Sequence, residues 1–265
     1  MFEDSRPIIQ HKAPDYEKMR AAGKLAAEVL DMIADHVEPG VTTGMLNDLC
    51  HKMIVDAGAV PAPLNYRGFP KSICTSVNHV VCHGIPGDLK LKNGDIVNID
   101  VTVIVDGWHG DTSRMYWAGE PPIKAKRLTQ VTYDATMLGI EQVKPGNTTG
   151  HIGHAIQEYA EKHGYSVVRD YCGHGIGKTF HTAPNILHYG KPGEGPELKE
   201  GMFFTVEPMI NVGHYATHLS RHDNWTVTTR DKSLSAQFEH TVAVTGSGFE
   251  IFTKSPTGKD CPPYA

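Results

Sequence analysis

The sequence contains no apolar run that approaches the roughly 20 residues needed to cross a lipid bilayer. Its first residues, Met-Phe-Glu-Asp-Ser-Arg-Pro, lack the apolar stretch of a secretory signal. We therefore expect a cytoplasmic protein with no membrane partner. With 265 residues, 40% of them hydrophobic, the chain is long enough to bury a substantial core in one large domain or two small ones.

The sequence has only five cysteines, an odd number, and no two of them form a C-x-x-C pair. This pattern argues against a disulfide framework and against a thiolate zinc site. Charge of one sign is not concentrated either, because a net charge of −5 is spread without a block of like residues. The composition therefore gives no indication of a nucleic-acid site or of a membrane surface as partner.

Several common motifs are also missing. There is no H-E-x-x-H zinc motif, and Gly177-Lys178-Thr179 does not complete a phosphate-binding loop, because position 172 holds cysteine instead of glycine. The glycines between Gly173 and Gly177 lack the spacing of a dinucleotide-binding turn and open no helix. The absence of a phosphate-binding loop and of a dinucleotide-binding turn argues against a nucleotide site.

What is present is clearest between Val97 and Asp111, where two runs rich in β-branched residues flank the pair Asp106-Gly107. An Asp-Gly pair in that setting is the strongest short-range signal for a tight β-hairpin. With these two residues as the loop, Val105 faces Trp108 across the hairpin.

The same register makes Thr102 face Asp111 and places Asp111 diagonally across from Asp100 on one sheet face. Diagonal neighbours lie roughly 7–8 Å apart, so two short carboxylates can converge on a point between them. Paired carboxylates are costly on an apolar face unless a proton, an arginine or a metal neutralises them. The alternative is a solvent-exposed face with two unrelated aspartates.

Four amphipathic helices are predicted from apolar residues that recur every three or four positions. They run from Pro14 to Val37, from Thr42 or Thr43 to Gly58, from after Pro121-Pro122 to Val143, and from Thr148 or Thr149 to Gly164. Between the second and third helices, the stretch from Ile73 to Cys82 has β-type sequence and precedes the hairpin.

The chain also repeats itself. The segment 37–44 matches 143–150 at six of eight positions, and at nearly the same offset 91–100 resembles 198–207, which aligns Asp100 with Glu207. We expect an α+β fold with internal pseudo-two-fold symmetry, in which helix-helix-strand halves surround an antiparallel sheet. Residues 13–253 would form a single catalytic domain with halves at about 13–120 and 123–253, residues 1–12 an N-terminal arm, and residues 254–265 a C-terminal tail. Chance similarity of Pro-Gly turns is the alternative.

Five residues at matching points of the two halves are candidate metal ligands: Asp100, Asp111, His174, Glu207 and Glu239. Glu207 ends a predicted strand, Glu239 lies in an alternating apolar run, and His174 lies in a glycine-flanked loop. Four carboxylates and one imidazole suit a pair of divalent ions such as cobalt, manganese, iron or zinc. Each residue alone has an ordinary explanation as a surface acid, an ion-pair partner or a turn cap.

These residues, in this order, together with 81–86, 173–177, 180–181 and 205–208, closely resemble type I methionine aminopeptidases of the short bacterial form over residues 12–253. The resemblance implies the "pita-bread" fold, with two metal ions held between the halves by the five ligands. It also implies that His83 and His181 contact the substrate at the scissile amide. The implied pocket for the methionine side chain comprises Tyr66, Phe69, Cys74, His83, Phe180 and Trp225.

The resemblance further implies removal of the N-terminal methionine from nascent chains whose second residue is small. A metal-bridging hydroxide would attack the scissile carbonyl, with Glu207 as general base and acid. The partner is the N-terminus of a peptide or nascent chain, proximity to the ribosome is left open, and the protein is expected to be a monomer. Phe69 and Pro63 differ from the Tyr and the small polar or thiol residue that relatives often carry.

Two other functions remain open. A peptidase for X-Pro substrates would normally carry an extra N-terminal domain, for which this chain has no length. A non-catalytic protein-binding domain of the same fold would be expected to have lost metal ligands, whereas all five are present.

Overall fold

The computed structural model describes residues 6–264. Within them four α-helices lie where the apolar periodicity predicts: α1 (Ala13–Ile33), α2 (Thr43–Asp56), α3 (Ile123–Ile140) and α4 (Thr149–Lys162). Two short 3-10 helices lie at Ala34–His36 and Tyr66–Gly68. Helix α1 stops short of the predicted Val37 because the chain tightens into the first of these 3-10 helices. Among the described residues, no helix is long and apolar enough to span a membrane.

Most of the strands are short. They are β1 (Val60–Pro61), β2 (Cys74–Val77), β3 (Val80–Cys82), β4 (Asp95–Val105), β5 (Trp108–Ala118), β6 (Ser166–Val167), β7 (Gly173–Gly175), β8 (Thr182–Ile186), β9 (Phe203–Val206), β10 (Met209–Asn211), β11 (Thr217–Leu219), β12 (Val227–Thr229), β13 (Ser235–Gln237), β14 (Glu239–Val244) and β15 (Phe249–Ile251). The large sheet has the order β1-β4-β5-β14-β9-β7-β8, with β2 beside β4 and β15 beside β14. Its pairings are antiparallel. The expected α+β fold is therefore confirmed.

The predicted hairpin forms with the predicted register. Asp106 and Gly107 have φ angles of 49° and 80°, the positive values that a two-residue hairpin turn requires. Val105 pairs with Trp108, and the ladder of β4 and β5 continues from there to the pair Asp95 and Ala118. These two long strands form the middle of the site described below.

The two halves repeat the same backbone contacts. Thr42 precedes α2 and forms an isolated bridge with Lys90, while Thr148 precedes α4 and forms an isolated bridge with Glu197. The Thr42 hydroxyl accepts from the backbone N–H of Met45, at 3.1 Å, and so caps α2. The sequence repeat thus corresponds to a structural one, in which each half joins its second helix to the turn before its main strand.

Each half buries its own apolar core between helices and sheet. In the first half, α1 and α2 pack on one face of β4, to which Val97, Ile99, Val101 and Val103 contribute. In the second half, α3 and α4 pack on β9 and β14. Burial of each such side chain stabilises the fold by about 1.5–3 kcal/mol. Because side chains alternate along a strand, the opposite face of β4 is left for polar residues.

A buried ion pair joins α1, β5 and the C-terminal segment. Arg114 donates to the carboxylate of Asp31 and to the carbonyl oxygen of Lys259, and its side chain is fully buried. Asp31 also accepts from Ser255 and Thr257, whose hydroxyl oxygens lie 2.8 and 2.6 Å from it. Burial alone would raise the pKa of Asp31, but these hydrogen bonds hold it below the usual value. The ion pair therefore holds the segment from Ser255 to Lys259 on the back of the sheet.

Replacing Asp31 by alanine is expected to lower the free energy of unfolding by about 3–5 kcal/mol, because it leaves the Arg114 guanidinium buried without its counter-charge. Urea unfolding followed by circular dichroism measures the change. The double variant Asp31→Ala with Arg114→Met should recover part of the loss, since it removes the buried charge as well. A double variant less stable than the single one would show that the charge is not the cause.

Candidate active site

The predicted site residues meet in one cavity of about 380 Å³ between the two halves. All twelve line it: Asp100, Asp111, His174, Glu207, Glu239, His83, His181, Tyr66, Phe69, Cys74, Phe180 and Trp225. They come from both halves of the repeat and from segments more than 150 residues apart. The cavity therefore joins a carboxylate cluster to an aromatic pocket.

The first half supplies two carboxylates from the polar face of β4 and β5. Asp100 and Thr102 alternate with the buried valines of β4, and Thr102 pairs with Asp111 in the hairpin register. The Thr102 hydroxyl donates to Asp111 Oδ1 at 2.7 Å. Thr241 of β14 accepts from the backbone N–H of Asp111 and donates to its carbonyl oxygen. Asp111 is thus held in place by its own strand pair and by the next strand.

The second half supplies two more carboxylates from β9 and β14. Glu239 begins β14 and pairs with Ser113 of β5, which brings it beside the first pair of acids. Glu207 directly follows β9, and Thr205 donates to its Oε1 at 2.7 Å. Gln237 contacts its Oε2 at 3.3 Å through the side-chain amide. The four carboxylates therefore converge on one point of the sheet.

His174 lies on the short strand β7, so the prediction that it occupies a loop is wrong. Its flanking glycines suggested a turn, but here they permit close strand packing. A Cβ at Gly173 would lie 2.3 Å from the carbonyl oxygen of Thr205, and one at Gly175 would lie 2.0 Å from that of Ala183. His174 Nε2 lies 3.6 Å from both Asp111 Oδ2 and Glu207 Oε1.

The electrostatics of this cluster are unfavourable by themselves. Burial raises the pKa of all four carboxyl groups, and repulsion among them raises it further for Asp111, Glu207 and Glu239. Neither lysine nor arginine forms an ion pair with any of the four within residues 6–264. Asp100 Oδ1 is buried without a hydrogen-bond partner. Bound protons or a metal cation must therefore neutralise the cluster.

The donor atoms fit a divalent metal. One ligand atom each from Asp111, His174 and Glu239 lies within 4.8 Å of the others. Burial lowers the pKa of His174 to about 4, so its ring is neutral near pH 7, as a metal ligand must be. An oxygen-rich set with one imidazole suits manganese, iron, cobalt or zinc better than a thiolate-binding metal.

Beside the carboxylates the cavity is lined by the rings of Phe69, His83, Phe180 and Trp225, which together form an aromatic wall. The centres of the Phe69 and Trp225 rings lie 5.2 Å apart at an interplanar angle of 79°, and the His83 ring lies 5.8 Å from the same indole at 85°. Cys74 pairs with Asp100 in the sheet, so the apolar wall begins directly beside the acidic cluster. Phe180 also lines the cavity, and the centre of its ring lies 4.9 Å from that of Tyr66.

The two predicted substrate-contacting histidines are strongly constrained. His83 has a φ of 56°, a left-handed conformation that is rare for a non-glycine residue and recurs at functional sites. The ring of His181 lies 4.2 Å from that of His174. Burial lowers the pKa of His83 to about 4 and that of His181 to about 2, with neighbouring positive groups adding to the shift for His181.

Sequence reasoning missed several residues of the cavity. Arg6, Arg67, Asp170, Tyr171 and Gln237 also line it. Gln237 lies two positions before Glu239 in the same alternating run. The two-residue period of a strand therefore predicts that both side chains lie on the same face of the sheet. The others lie in loops, in the 3-10 helix Tyr66–Gly68 or in the N-terminal arm, and no periodic signal marks them.

These features define a class of protein. The model of metallopeptidase family M24 matches residues 17–246, which include all five candidate metal ligands, and the chain belongs to that family. It is therefore a hydrolase of peptides that depends on metal.

Similar proteins indicate which group within this family the chain resembles. The chain is 72% identical to a methionine aminopeptidase from Rickettsia prowazekii over 254 residues, covering 96% of this chain and 98% of the relative. A crystal structure of methionine aminopeptidase from that organism superimposes with a TM-score of 0.93, covering 93% of this chain and 100% of the other. The crystal structure of a methionine aminopeptidase from Thermotoga maritima is 38% identical and superimposes with a TM-score of 0.91. It covers 93% of this chain and 99% of the other. The sequence-based resemblance to methionine aminopeptidases is confirmed.

A more distant structure shows the fold alone. A prolidase from Pyrococcus furiosus, 22% identical, superimposes with a TM-score of 0.73 and is covered over 65% of its length. The fold is thus shared with an enzyme named as a prolidase and not as a methionine aminopeptidase.

Proposed function

We propose that this chain removes the N-terminal methionine from peptides and nascent chains whose second residue is small, with two divalent metal ions as cofactors. The observation that carries the proposal is the meeting of the carboxylate cluster and the aromatic wall in one cavity. The identity to methionine aminopeptidases over nearly the whole chain supports it.

Five residues would hold the two ions: Asp100, Asp111, His174, Glu207 and Glu239. When bound, such ions lower the pKa of a bound water and polarise the scissile carbonyl. An ion held there would accept the free α-amino group as a further nitrogen ligand, whereas an acylated terminus offers no such nitrogen. The cluster therefore favours an exopeptidase over an endopeptidase.

Glu207 is the proposed proton carrier. Its carboxylate is fixed by Thr205 and Gln237, so its free lone pairs point in a defined direction. A carboxylate held in this way is within the class of side chains that act as general bases and acids. It can accept a proton from the attacking water and return it to the leaving amide nitrogen.

The histidines serve the scissile amide. His181 is proposed to donate a hydrogen bond to the carbonyl oxygen as negative charge develops there. His83 is proposed to lie beside the leaving nitrogen. Because the pKa of both rings is low, each acts as a neutral hydrogen-bonding group near pH 7.

The aromatic wall fits the methionine side chain. Methionine is unbranched and polarisable, and its sulfur makes favourable contacts with aromatic edges. Phe69 and Trp225 line the cavity with their rings nearly perpendicular, and Cys74 lines it with a second soft sulfur. Phe69 therefore keeps the apolar wall even though relatives often carry tyrosine at that position.

Peptide selectivity tests the proposal. After loading with manganese, iron, cobalt or zinc, the enzyme is expected to cleave Met-Ala peptides and to cut Met-Phe peptides more slowly by on the order of 10²-fold, because a bulky second side chain displaces the scissile carbonyl by about 1 Å. N-terminally acetylated Met-Ala is the matched control and should resist cleavage. Equal rates for Met-Ala and Met-Phe would contradict the small-residue requirement, and no cleavage with any of the four metals would contradict the function.

A further inference from the structure

A tyrosine from the first half contacts the proposed carbonyl donor from the second half. Tyr66 lies in the 3-10 helix that follows Asn65, whose φ is 67°. Its hydroxyl oxygen lies 3.0 Å from His181 Nδ1. The two rings are stacked at 5.3 Å with an interplanar angle of 23°. The two residues are 115 positions apart and both line the cavity, so this contact links the two halves there.

We propose that Tyr66 is a positioning residue for the reaction, because its hydroxyl donates to Nδ1 of His181 and so keeps the ring hydrogen on Nε2. This inference rests on the proposed role of His181 as a donor to the scissile carbonyl. A neutral imidazole carries one hydrogen, and the hydrogen bond at one nitrogen selects the nitrogen that holds it. With Nδ1 as acceptor, Nε2–H remains available to an oxygen of the substrate.

The direction of this hydrogen bond follows from the chemistry of the pair. Phenol is a good donor, and the unprotonated imidazole nitrogen is a better acceptor than a phenolic oxygen. Among residues 6–264 the bond to His181 is the only one that the Tyr66 hydroxyl makes. The guanidinium of Arg67 lies 5.3 Å from the centre of the Tyr66 ring, and a cation there polarises the O–H bond towards donation.

The opposite tautomer would be inactive in this role. If Nδ1 carried the hydrogen and donated to Tyr66, Nε2 would present a lone pair. A lone pair facing the developing negative charge on the carbonyl oxygen would repel it instead of stabilising it. The hydroxyl of Tyr66 therefore separates a productive from an unproductive state of the same ring.

Other contacts hold His181 in place without the hydroxyl. Its ring lies 4.1 Å from that of Phe180 and 4.2 Å from that of His174. Its carbonyl oxygen accepts from Arg6 at 2.6 Å. Replacing Tyr66 by phenylalanine keeps the aromatic ring and these contacts, so the variant removes the tautomer-selecting hydrogen bond alone.

The tautomer is measured directly by ¹⁵N NMR of zinc-loaded protein with ¹⁵N-labelled histidine, in which the His181→Gln variant assigns the His181 signals. The expected result is a hydrogen on Nε2 in the wild-type protein and a measurable population of the Nδ1–H form in Tyr66→Phe. A hydrogen on Nδ1 in the wild type, or no change in the variant, overturns the proposal. This measurement needs no turnover, so it stands apart from the outcome of the peptide assay.

Kinetics provide the second test. Tyr66→Phe is expected to lower kcat for a Met-Ala peptide by about 10- to 100-fold, the range of strong pairwise coupling, with KM changed little because the ring still lines the pocket. In a His181→Ala background the same substitution should have no further effect. Tyr159→Phe is the control, since it removes a tyrosine hydroxyl bonded to Asp134 far from the site and should leave kcat unchanged. An equal loss from Tyr66→Phe in both backgrounds would show that Tyr66 acts independently of His181, which overturns the proposal.

Discussion

Replacing Glu239 by glutamine is expected to abolish peptidase activity while raising the melting temperature of the metal-free protein. The activity falls on the order of 10³-fold or more, because metal stabilisation of the transition state is worth several kcal/mol and each roughly 1.4 kcal/mol is tenfold. The stability rises because Glu239 is buried beside three other carboxyl groups. Burial is the main cause of its raised pKa, and repulsion from Asp111, Glu207 and Asp100 raises that pKa further. Glutamine keeps the volume and is neutral at every pH, so folding near pH 7 no longer has to force a proton onto this carboxyl group.

Metal analysis and calorimetry check this expectation. Relief of about 1 kcal/mol of repulsion corresponds to a rise of roughly 2–4 °C for a domain of this size. Saturating metal should raise the melting temperature of the wild type, since binding at 100 times the dissociation constant stabilises by about 2.7 kcal/mol, and should raise that of the variant less. Glu158→Gln, at an exposed position, is the control. Full metal occupancy in Glu239→Gln would remove Glu239 from the ligand set.

The sequence predicts the acidic part of this site because local rules decide it. The pair Asp106-Gly107 determines the hairpin turn, the turn determines the register, and the register places Thr102 opposite Asp111. The strand period then puts Asp100 on the same face. Each step depends on residues close in the chain, where turn geometry and side-chain alternation leave little choice.

The supporting contacts could not be predicted in the same way. Thr205 accepts from the backbone N–H of His174 and donates to Glu207, so one hydroxyl connects two candidate ligands from different strands. The contact of Arg6 with the carbonyl oxygen of His181 spans 175 positions. Such pairs depend on how strands β7 and β9 and the N-terminal arm pack, and neither periodicity nor turn chemistry specifies them.

His174 shows why glycine was misleading. Glycine marks turns in most sequences, but it also allows a strand to approach neighbouring backbone more closely than any side chain permits. At Gly173 and Gly175 the neighbouring carbonyl oxygens fill the space of a Cβ. The sequence gives the residue type for both situations, and only the packing of β7 against β8 and β9 separates them.

Replacing His181 by alanine is expected to lower kcat for Met-Ala peptides by about 10²–10³-fold with the metal content unchanged, the size found for one lost hydrogen-bond donor to a developing oxyanion. Metal content stays because the described contact of His181 with His174 is a tilted ring contact at 4.2 Å and 40°, while the backbone N–H of His174 is held by Thr205 on β9. His154→Ala, at an exposed position on α4, is the control and should keep full activity. Steady-state kinetics combined with metal analysis of the same samples measures both quantities. An unchanged kcat would exclude His181 from the transition state, whereas loss of metal together with kcat would show that the ring supports the metal centre.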